Sequence, residues 1–500
     1  MSLSSAFSIA NSSFASTAAQ SAVIARNISN ANTPGYSREI ANQSTNAYGG
    51  SDVISITRQV NSALLDQLNA STSESASQNA ISTGLSTLAR TVNDSATASS
   101  ASGATQNGAS PSAMLANLQS ALATYAASPS DVSAAQATVT AAGNLTASLN
   151  AGSAAVQQVR SQADASIASS VAAINSLLNQ FTSVNAAIVN GVASGADVSS
   201  AEDSRDSILT QLSKQIGIST TTNTNGSTSI YTDSGVPLFQ DIPQTLSFTP
   251  TPTLIAGANG NPVTINGVPI TGSSAPMALQ SGALAGNAQL RDTIAPEYQS
   301  QLDQIAGGLI DTFAETDQSA TPTQPSLPGL FTYPGAIGLP STTNTTGLGS
   351  QIEVNANVDP NQGGSVDLLR DGGISDPSGT TYTYNSTGAA GFSGRIQQLT
   401  TAIDASQTFD PSAGLGGSNS LSGYASASVS WLQAQNQQAS DAASYQSSVA
   451  SQASSALSNT TGVNLDTEMT NMLNIENSYT TTAKLLTTVN NMFSSLIAAA

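Results

Sequence analysis

Cysteine and histidine are both absent from these 500 residues. Disulfides, thiolate nucleophiles, Cys/His zinc sites, Ser-His-Asp triads and imidazole proton transfer are thereby excluded. Cations are scarce: eleven Lys and Arg, with Lys214 and Lys484 the two lysines, face thirty Asp and Glu, for a net charge of −19. A nucleic-acid backbone or an anionic membrane surface would repel such a chain. Charged residues of both signs make up 8%, against about 25% in ordinary soluble domains, and aromatic residues only 4%. Ala, Ser, Thr, Asn and Gln stand in their place. A polar, uncharged surface of short side chains can lie against protein on many sides without the cost of burying ions, which suits a packed assembly. No run approaches the ~18 apolar residues of a membrane span. The start, Met1-Ser2-Leu3-Ser4-Ser5-Ala6-Phe7, has no basic region or apolar run of a secretory leader, so the expectation is a cytoplasmic chain or one exported without a cleaved signal peptide.

What is present is periodicity. Leu3, Phe7, Ala10, Phe14, Thr17, Ser21, Ile24 and Ile28 follow steps of four and three, one stripe along a helix at coiled-coil spacing. Leu465, Met472, Ile475, Tyr479, Leu486, Val489, Phe493 and Leu496 repeat the device at the other end, with Glu468 and Thr482 as exceptions in the stripe. Asn464 or Asp466 can cap that helix. Both stripes could be ordinary buried faces of a core. The flanks, however, are Ser, Ala, Asn and Thr with almost no charge, whereas coiled coils usually set Glu and Lys beside the seam. Residues 1–36 contain no acid and one Arg, Arg26. Two such ends make sense if they pair with each other and with neighbouring subunits.

Further helices are expected between the ends. Ile167, Val171, Ile174, Leu178, Phe181, Val184 and Ile188 mark one over 153–190, and Ile208, Leu209, Leu212 and Ile216 resume after a Gly/Asp break at 191–197. Tyr298, Leu302, Ile305, Leu309 and Phe313 mark another, with Pro296 near its start. Trp431, Ala434, Ala442, Tyr445, Val449 and Leu457 mark a third. From Gly217 to about Thr271 the period changes to short β-prone runs with Asn-Gly and Pro punctuation, which predict hairpins. A second such stretch spans about 320–394, with strands expected at Ile352–Ala356 and Thr381–Tyr384. The fold class is mostly α with β inserts, an elongated multidomain rod. Residues 1–60 with 455–500 form a coiled-coil-like end domain with the N- and C-terminal helices paired. Residues 61–216, 279–319 and 395–454 form a long helical bundle, and 217–278 and 320–394 one or two β-rich outer domains.

Chemistry is hard to find. Asp203 with Asp206, and Asp311 with Glu315, have helical spacing and read as solvated faces. Asp359-Pro360-Asn361-Gln362-Gly363-Gly364 lacks the spaced ligands of a calcium loop and reads as a turn. No Walker A, GxSxG or HExxH pattern occurs. The expectation is no enzyme, no catalytic residues, no metal site and no cofactor.

The most specific segment is Asn27-Ile28-Ser29-Asn30-Ala31-Asn32-Thr33-Pro34-Gly35-Tyr36-Ser37-Arg38, a helix stop followed by forced turn geometry. It resembles the signature of bacterial flagellar axial proteins, and its Gly-Tyr-Ser-Arg form is nearer to the hook-associated members than to rod or hook proteins. Asp203-Ser204-Arg205-Asp206-Ser207-Ile208-Leu209 is similar to an Arg-Asp helix of that family. Gly282, Leu284, Gly286, Arg291, Asp292, Pro296, Tyr298 and Leu302 are similar to its second Arg-Asp motif. Gly462-Val463-Asn464-Leu465-Asp466-Thr467-Glu468-Met469, with Tyr479, Ala483 and Lys484, is similar to the shared axial ending.

The resemblance implies a structural subunit at the hook-filament junction, part of the bacterial flagellum and outside the cell, exported by the flagellar type III apparatus. Implied partners are copies of itself in a helical layer, the flagellar hook protein, hook-associated protein 3, and an export chaperone on the C-terminal helix, with no membrane insertion and no nucleic acid. The assembly interface would be carried by Leu3, Phe7, Phe14, Ile24, Ile28, Leu465, Met472, Ile475, Tyr479, Leu486, Val489, Phe493 and Leu496. Alternatives are a hook or rod protein, a secreted adhesin, or a glycan-modifying enzyme with Asp359, Asp367, Asp371 or Asp376 as its acids.

Overall fold

The computed structural model describes residues 3–47, 49–94, 110–341 and 345–499. The chain runs out through helices, makes small β excursions and returns through helices. Helix α1 (Leu3–Asn30) leads to an antiparallel hairpin, β1 (Glu39–Thr45) and β2 (Ser51–Arg58), bulged at Asn42/Gln43. Helices α2 (Ser62–Ala89), α3 (Pro111–Ala127), α4 (Val132–Ser194) and α5 (Ser199–Gln215) follow. Two three-stranded antiparallel sheets come next: β3 (Ile218–Thr222), β4 (Thr228–Thr232) and β5 (Pro237–Phe239), then β6 (Leu246–Ser247), β7 (Thr264–Ile265) and β8 (Val268–Pro269). Helix α6 (Ala283–Gln289) continues through a π-helical turn, Leu290–Ile294, into α7 (Ala295–Thr312). The short pair β9 (Phe331–Thr332) and β10 (Glu353–Val354), helices α8 (Leu368–Asp371) and α9 (Gly394–Ile403), and the pair β11 (Ser406–Thr408) and β12 (Ser418–Ser420) precede the long α10 (Leu421–Thr461) and α11 (Leu465–Ala499).

Helix α4 is the spine. Asp131 caps it, accepting from the backbone of Ser133 and Ala134, and Gly195 at φ 71 ends it in the left-handed conformation. Its 63 residues span roughly 95 Å at ~1.5 Å per residue, well beyond the expected 153–190. The extra turns bury Ala135, Val139, Ala142, Leu145 and Leu149, a face in which alanines dilute the apolar signal. The break at 191–197 falls where expected, and Asn266-Gly267, both at positive φ, make the tight β7–β8 turn.

Two differences from expectation have clear causes. The buried face of α10 holds Leu421, Ala425, Ser428, Leu432, Ala439 and Ala443, one step round from the expected stripe, and Tyr445 is 67% exposed. Helix α10 packs along α2, and Ala439 and Ala443 are the buried residues in its middle, so short side chains lie inward there while the large Tyr445 points away. In 320–394 regular strand is sparse. Thr381–Tyr384 forms turns with a single bridge, Gly372 to Thr383, because Gly372 and Gly373 sit at φ 83 and Tyr384 is held by its ring under Arg395 and its hydroxyl on Thr316.

Two apolar cores share α4. The first takes residues from Ala134 to Ala163 of α4 with α3, α7, α9 and the start of α10, including Leu118, Tyr298, Leu302, Leu309 and Tyr424. The second takes Ile167 to Phe181 with α5, α6 and the strands of 217–278, including Leu212, Ile230, Leu238 and Val263. A buried polar layer separates them. Arg160 donates to the carbonyls of Arg291, Ile255 and Ala258, while Arg291, fully buried, donates to Asp164, to both oxygens of Asp292 (2.9 and 2.7 Å) and to the carbonyl of Asn261 (2.9 Å). Asp164 also accepts from the backbone and hydroxyl of Thr251 (2.8 and 3.2 Å). The π turn that carries Arg291 and Asp292 has a local cause: Pro296 has no N–H for the carbonyl four residues back, so the helix widens there.

Candidate functional site

The segment 27–38 is where the chain ends are tied together. Helix α1 stops at Asn30, and Gly35 at φ 82 turns the chain back past its own last turn. Asn27, completely buried, uses every polar atom of its side chain. Its oxygen accepts from the Tyr36 hydroxyl (2.9 Å) and the Glu39 N–H (2.9 Å), and its nitrogen donates to the Glu39 carbonyl (2.9 Å) and the Glu468 carboxylate (3.3 Å). Glu468, in the first turn of α11 and also completely buried, accepts from Arg38 at 2.6 Å. A buried carboxylate is tolerable only when so paired. The Arg38 N–H donates to the Thr461 carbonyl at the end of α10 (2.8 Å), and Arg26 pairs with Glu39 (2.7 Å). Burial, and then the charges of Glu39 and Asp203, hold the Tyr36 phenol well above its ordinary pKa, so it stays a donor.

A second arginine fastens this knot to the rod. Arg58, at the end of β2 with its side chain 2% exposed, meets Glu202 (2.9 Å), Asp203 and Asp206 (3.0 Å) of α5. Burial pulls its pKa down, and the three carboxylates outweigh that and raise it. Asp203 and Asp206 are therefore not a solvated helix face, as their spacing suggested; they clamp the hairpin. Glu468 and Arg58 went unrecognised in the sequence. The available signal for Glu468 was an acid sitting on the seam of an otherwise apolar stripe.

The expected interface residues divide by burial. Helices α1 and α11 run antiparallel, with Phe14 edge-on to Tyr479 (4.9 Å between ring centres) and the Ser21 hydroxyl 3.9 Å from the Met472 sulfur. Ile24 and Val489 are buried; Leu3, Phe14, Ile28, Ile475 and Leu486 are half-buried. Phe7, Leu465, Met472, Tyr479, Phe493 and Leu496 are exposed. Asn464 caps α11, its side chain accepting from the Thr467 N–H (3.0 Å). Of the motif residues, Asn30 bonds back to the Arg26 carbonyl (3.0 Å), Thr33 to Asn30 (3.3 Å), and Ser37 N–H reaches Asp203 (3.5 Å), while Asn32, Thr33, Pro34 and Gly35 form the exposed turn.

Helix α11 exposes ten large apolar side chains along its length. At about 100° per residue, Met469 and Leu473 lie on one flank of the α1-facing seam in the first half of the helix. Leu485, Met492 and Leu496 lie on the other flank in the second half. The outward face of α1 is the converse: Ser4, Ser8, Asn11, Ala15, Ala18, Ala22, Ala25 and Ser29 are all exposed and all short.

The acids weighed as catalysts are structural. Asp359 and Asp376 accept from nearby backbone N–H groups in turns, Asp371 holds Arg370 and Asn385, Asp367 reaches Arg370 at 3.5 Å, and Glu315 accepts from Ile374 and Ser375. Among the described residues no three His, Cys, Asp or Glu side chains group as metal ligands, and no helix is long and apolar enough to cross a membrane.

Comparison with known proteins agrees with this geometry. Residues 454–499, spanning α11 and the end of α10, match the family model for the flagellar basal body rod FlgEFG protein C-terminal region. Paired chain ends joined through 27–38 and carrying that C-terminal match make this a flagellar axial protein. Residues 104–326 match the family model for the helical domain of flagellar hook-associated protein FlgK, and no curated protein sequence matches. The fold is similar to the structure of the flagellar hook junction protein FlgK from Burkholderia pseudomallei, with 15% identity and a TM-score of 0.55 over 78% of this chain and 99% of that one. The two family models and the similar fold together support a flagellar hook-associated protein 1, whose family is structural in the flagellum and not enzymatic.

Proposed function

We propose that this chain forms the adaptor layer at the hook-filament junction, exported by the flagellar type III apparatus, polymerised on the hook protein and covered by hook-associated protein 3. The observation that carries the reading is the exposure of α11. Ten large apolar side chains, roughly half exposed, would each gain on the order of 1 kcal/mol on burial, about 10 kcal/mol per subunit before ordering costs. Apolar surface on two flanks at two heights suits contact with two different neighbours, and the short-chained face of α1 suits receiving a neighbour's large side chains. The same surface needs a cover before export, which supports a chaperone on the C-terminal helix. In this reading residues 1–60 with 455–500 are the assembling end. Residues 61–216, 279–319 and 395–454 are the rod, and 217–278 and 320–394 are outer modules.

A null strain is expected to shed unpolymerised flagellin into the medium. Replacing Leu473, Leu485 and Ile497 by Glu in the full chain should change its urea stability by no more than about 1.5 kcal/mol and abolish filament growth. Filaments of normal length on the null strain would refute the junction role. Labelled protein along the whole hook, instead of a single band at its end, would favour a hook subunit.

A further inference from the structure

We propose that Glu468 sets the register of the terminal helix pair. The apolar seam cannot do this alone. Its positions repeat every seven residues on both helices, and on α11 only Glu468 and Val489 are buried. Sliding α11 by one heptad toward its own N-terminus would place Leu486 where Tyr479 meets Phe14, one large side chain for another. The loop 462–464 between α10 and α11 allows this slide in one direction, by unwinding the first turns of α11.

What the slide cannot reproduce is the knot. Ile475 would arrive at the place of Glu468, and Arg38 and Asn27 would lose the carboxylate they share. The receiving side is also fixed by bonds that do not involve α11: Asn27 is held by Tyr36 and by both backbone groups of Glu39, and the Arg38 backbone by Thr461. A single polar group on an apolar seam that finds its partners in one alignment specifies that alignment, and often lowers stability in doing so. Register fixes which residues of α11 stand on its two flanks at each height, so every subunit presents the same surface.

The absence of native cysteine makes disulfides a clean ruler. A disulfide needs Cα atoms within about 7 Å, and a one-heptad slide moves a partner by about 10 Å. Phe14→Cys is combined with Tyr479→Cys or with Leu486→Cys in the full chain, the chain is oxidised, and both bridges are quantified by mass spectrometry. With Glu468 intact, the 14–479 bridge should form at least tenfold more than 14–486. Glu468→Leu, which completes the apolar seam, should bring the ratio below threefold, and Glu468→Gln, whose single amide oxygen can still accept from Arg38 while its nitrogen cannot accept from Asn27, should hold the ratio above threefold. Arg38→Leu with Glu468→Leu should restore the thermal midpoint toward the parent's while the ratio stays low, whereas a merely structural role would restore both. A tenfold preference for 14–479 surviving in either Leu variant, or two equal bridges in the parent, would overturn the proposal.

Discussion

Arg291→Met tests whether the polar layer between the two cores holds the rod together. Arg291 has no solvent exposure and holds two carboxylates and a carbonyl: Asp164, Asp292 and Asn261. Methionine fills most of the volume, so the cavity contribution is small. What remains is electrostatic. Asp164 keeps only the two donors of Thr251, and Asp292 keeps the Gly260 N–H at 3.2 Å. Removing one partner of a buried pair costs about 3–5 kcal/mol, a large share of a usual total of about 5–15 kcal/mol. The assay is urea unfolding of the full chain followed by circular dichroism. Because α4 carries both cores, a broken layer should also lower the slope of the transition or split it, as the cores begin to melt separately. Arg291→Met with Asp164→Asn removes one orphaned charge and should regain about half the loss. A cost under about 1 kcal/mol for Arg291→Met, or a double variant no better than the single, would refute the argument.

Glycine should matter at Gly286 and not at Gly143. A Cβ at Gly286 would fall 2.4 Å from the Ser77 carbonyl oxygen of α2, so Gly286→Ala should cost about 1–3 kcal/mol. Gly143, in the interior of α4, has nothing within 4 Å of a Cβ, and Gly143→Ala should gain about 0.5–1 kcal/mol in the same melts. Asp303 predicts a pH effect of unusual sign. Burial pushes its pKa up to about 6 despite N–H bonds from Gly347 and Gly349, while the unfolded value is about 4. The folded chain thus holds a proton that the unfolded chain releases. This group's contribution is fully present below about pH 4 and falls by roughly 3 kcal/mol as pH rises past 6. Subtracting the stability-pH curve of Asp303→Asn from the parent's should show that fall, and a flat difference would count against it.

Legibility in the sequence followed side-chain size. The faces of α5 and α7 were readable because Ile208, Leu212, Leu302 and Leu309 are large and fall on helical steps. The buried face of α10 was harder to read because it includes Ala439, Ala443 and Ser428, the last bonded to Gln301 of α7, while Tyr445 looks outward. Periodicity ranks residues by apolarity, and close helix packing selects for shortness. Hairpin β1–β2 was missed because Asn42, Ser44, Asp52 and Ser55 leave no strong alternation, and its one buried side is covered by α1. At the site, the helix stop and turn of 27–38 were visible in Asn30, Pro34 and Gly35. Its purpose was not, since the Glu468 carboxylate that Asn27 and Arg38 share, and the Thr461 carbonyl that holds Arg38, lie over 400 residues away on α11 and α10. Spacing within one helix also could not say that Arg58 lies over Asp203 and Asp206.

The scarcity of cations changes meaning once their places are known. Nine of the eleven cations are arginines, and eight of them are fasteners. Arg26, Arg38, Arg58, Arg205, Arg291 and Arg370 pair with carboxylates, while Arg160 and Arg395 donate to carbonyls. Guanidinium suits this use, since its planar fork satisfies several acceptors at once in a dry site. The consequence reaches assembly. Positive charge engaged within the chain is less available for salt bridges between subunits; the outward face of α1 is made of short uncharged side chains, and α11 exposes only Asp466, Glu476 and Lys484 as charges. In the proposed layer, contacts between subunits through those faces would rest mainly on shape and apolar area, which are non-directional and tolerate small changes in angle. The directional interactions of the described chain lie within each subunit, in the knot at 27–38 and in the layer around Arg291, where rigidity is needed. The proposed junction between tubes of different stiffness would require that division: subunits that keep their shape, and contacts between them that can yield.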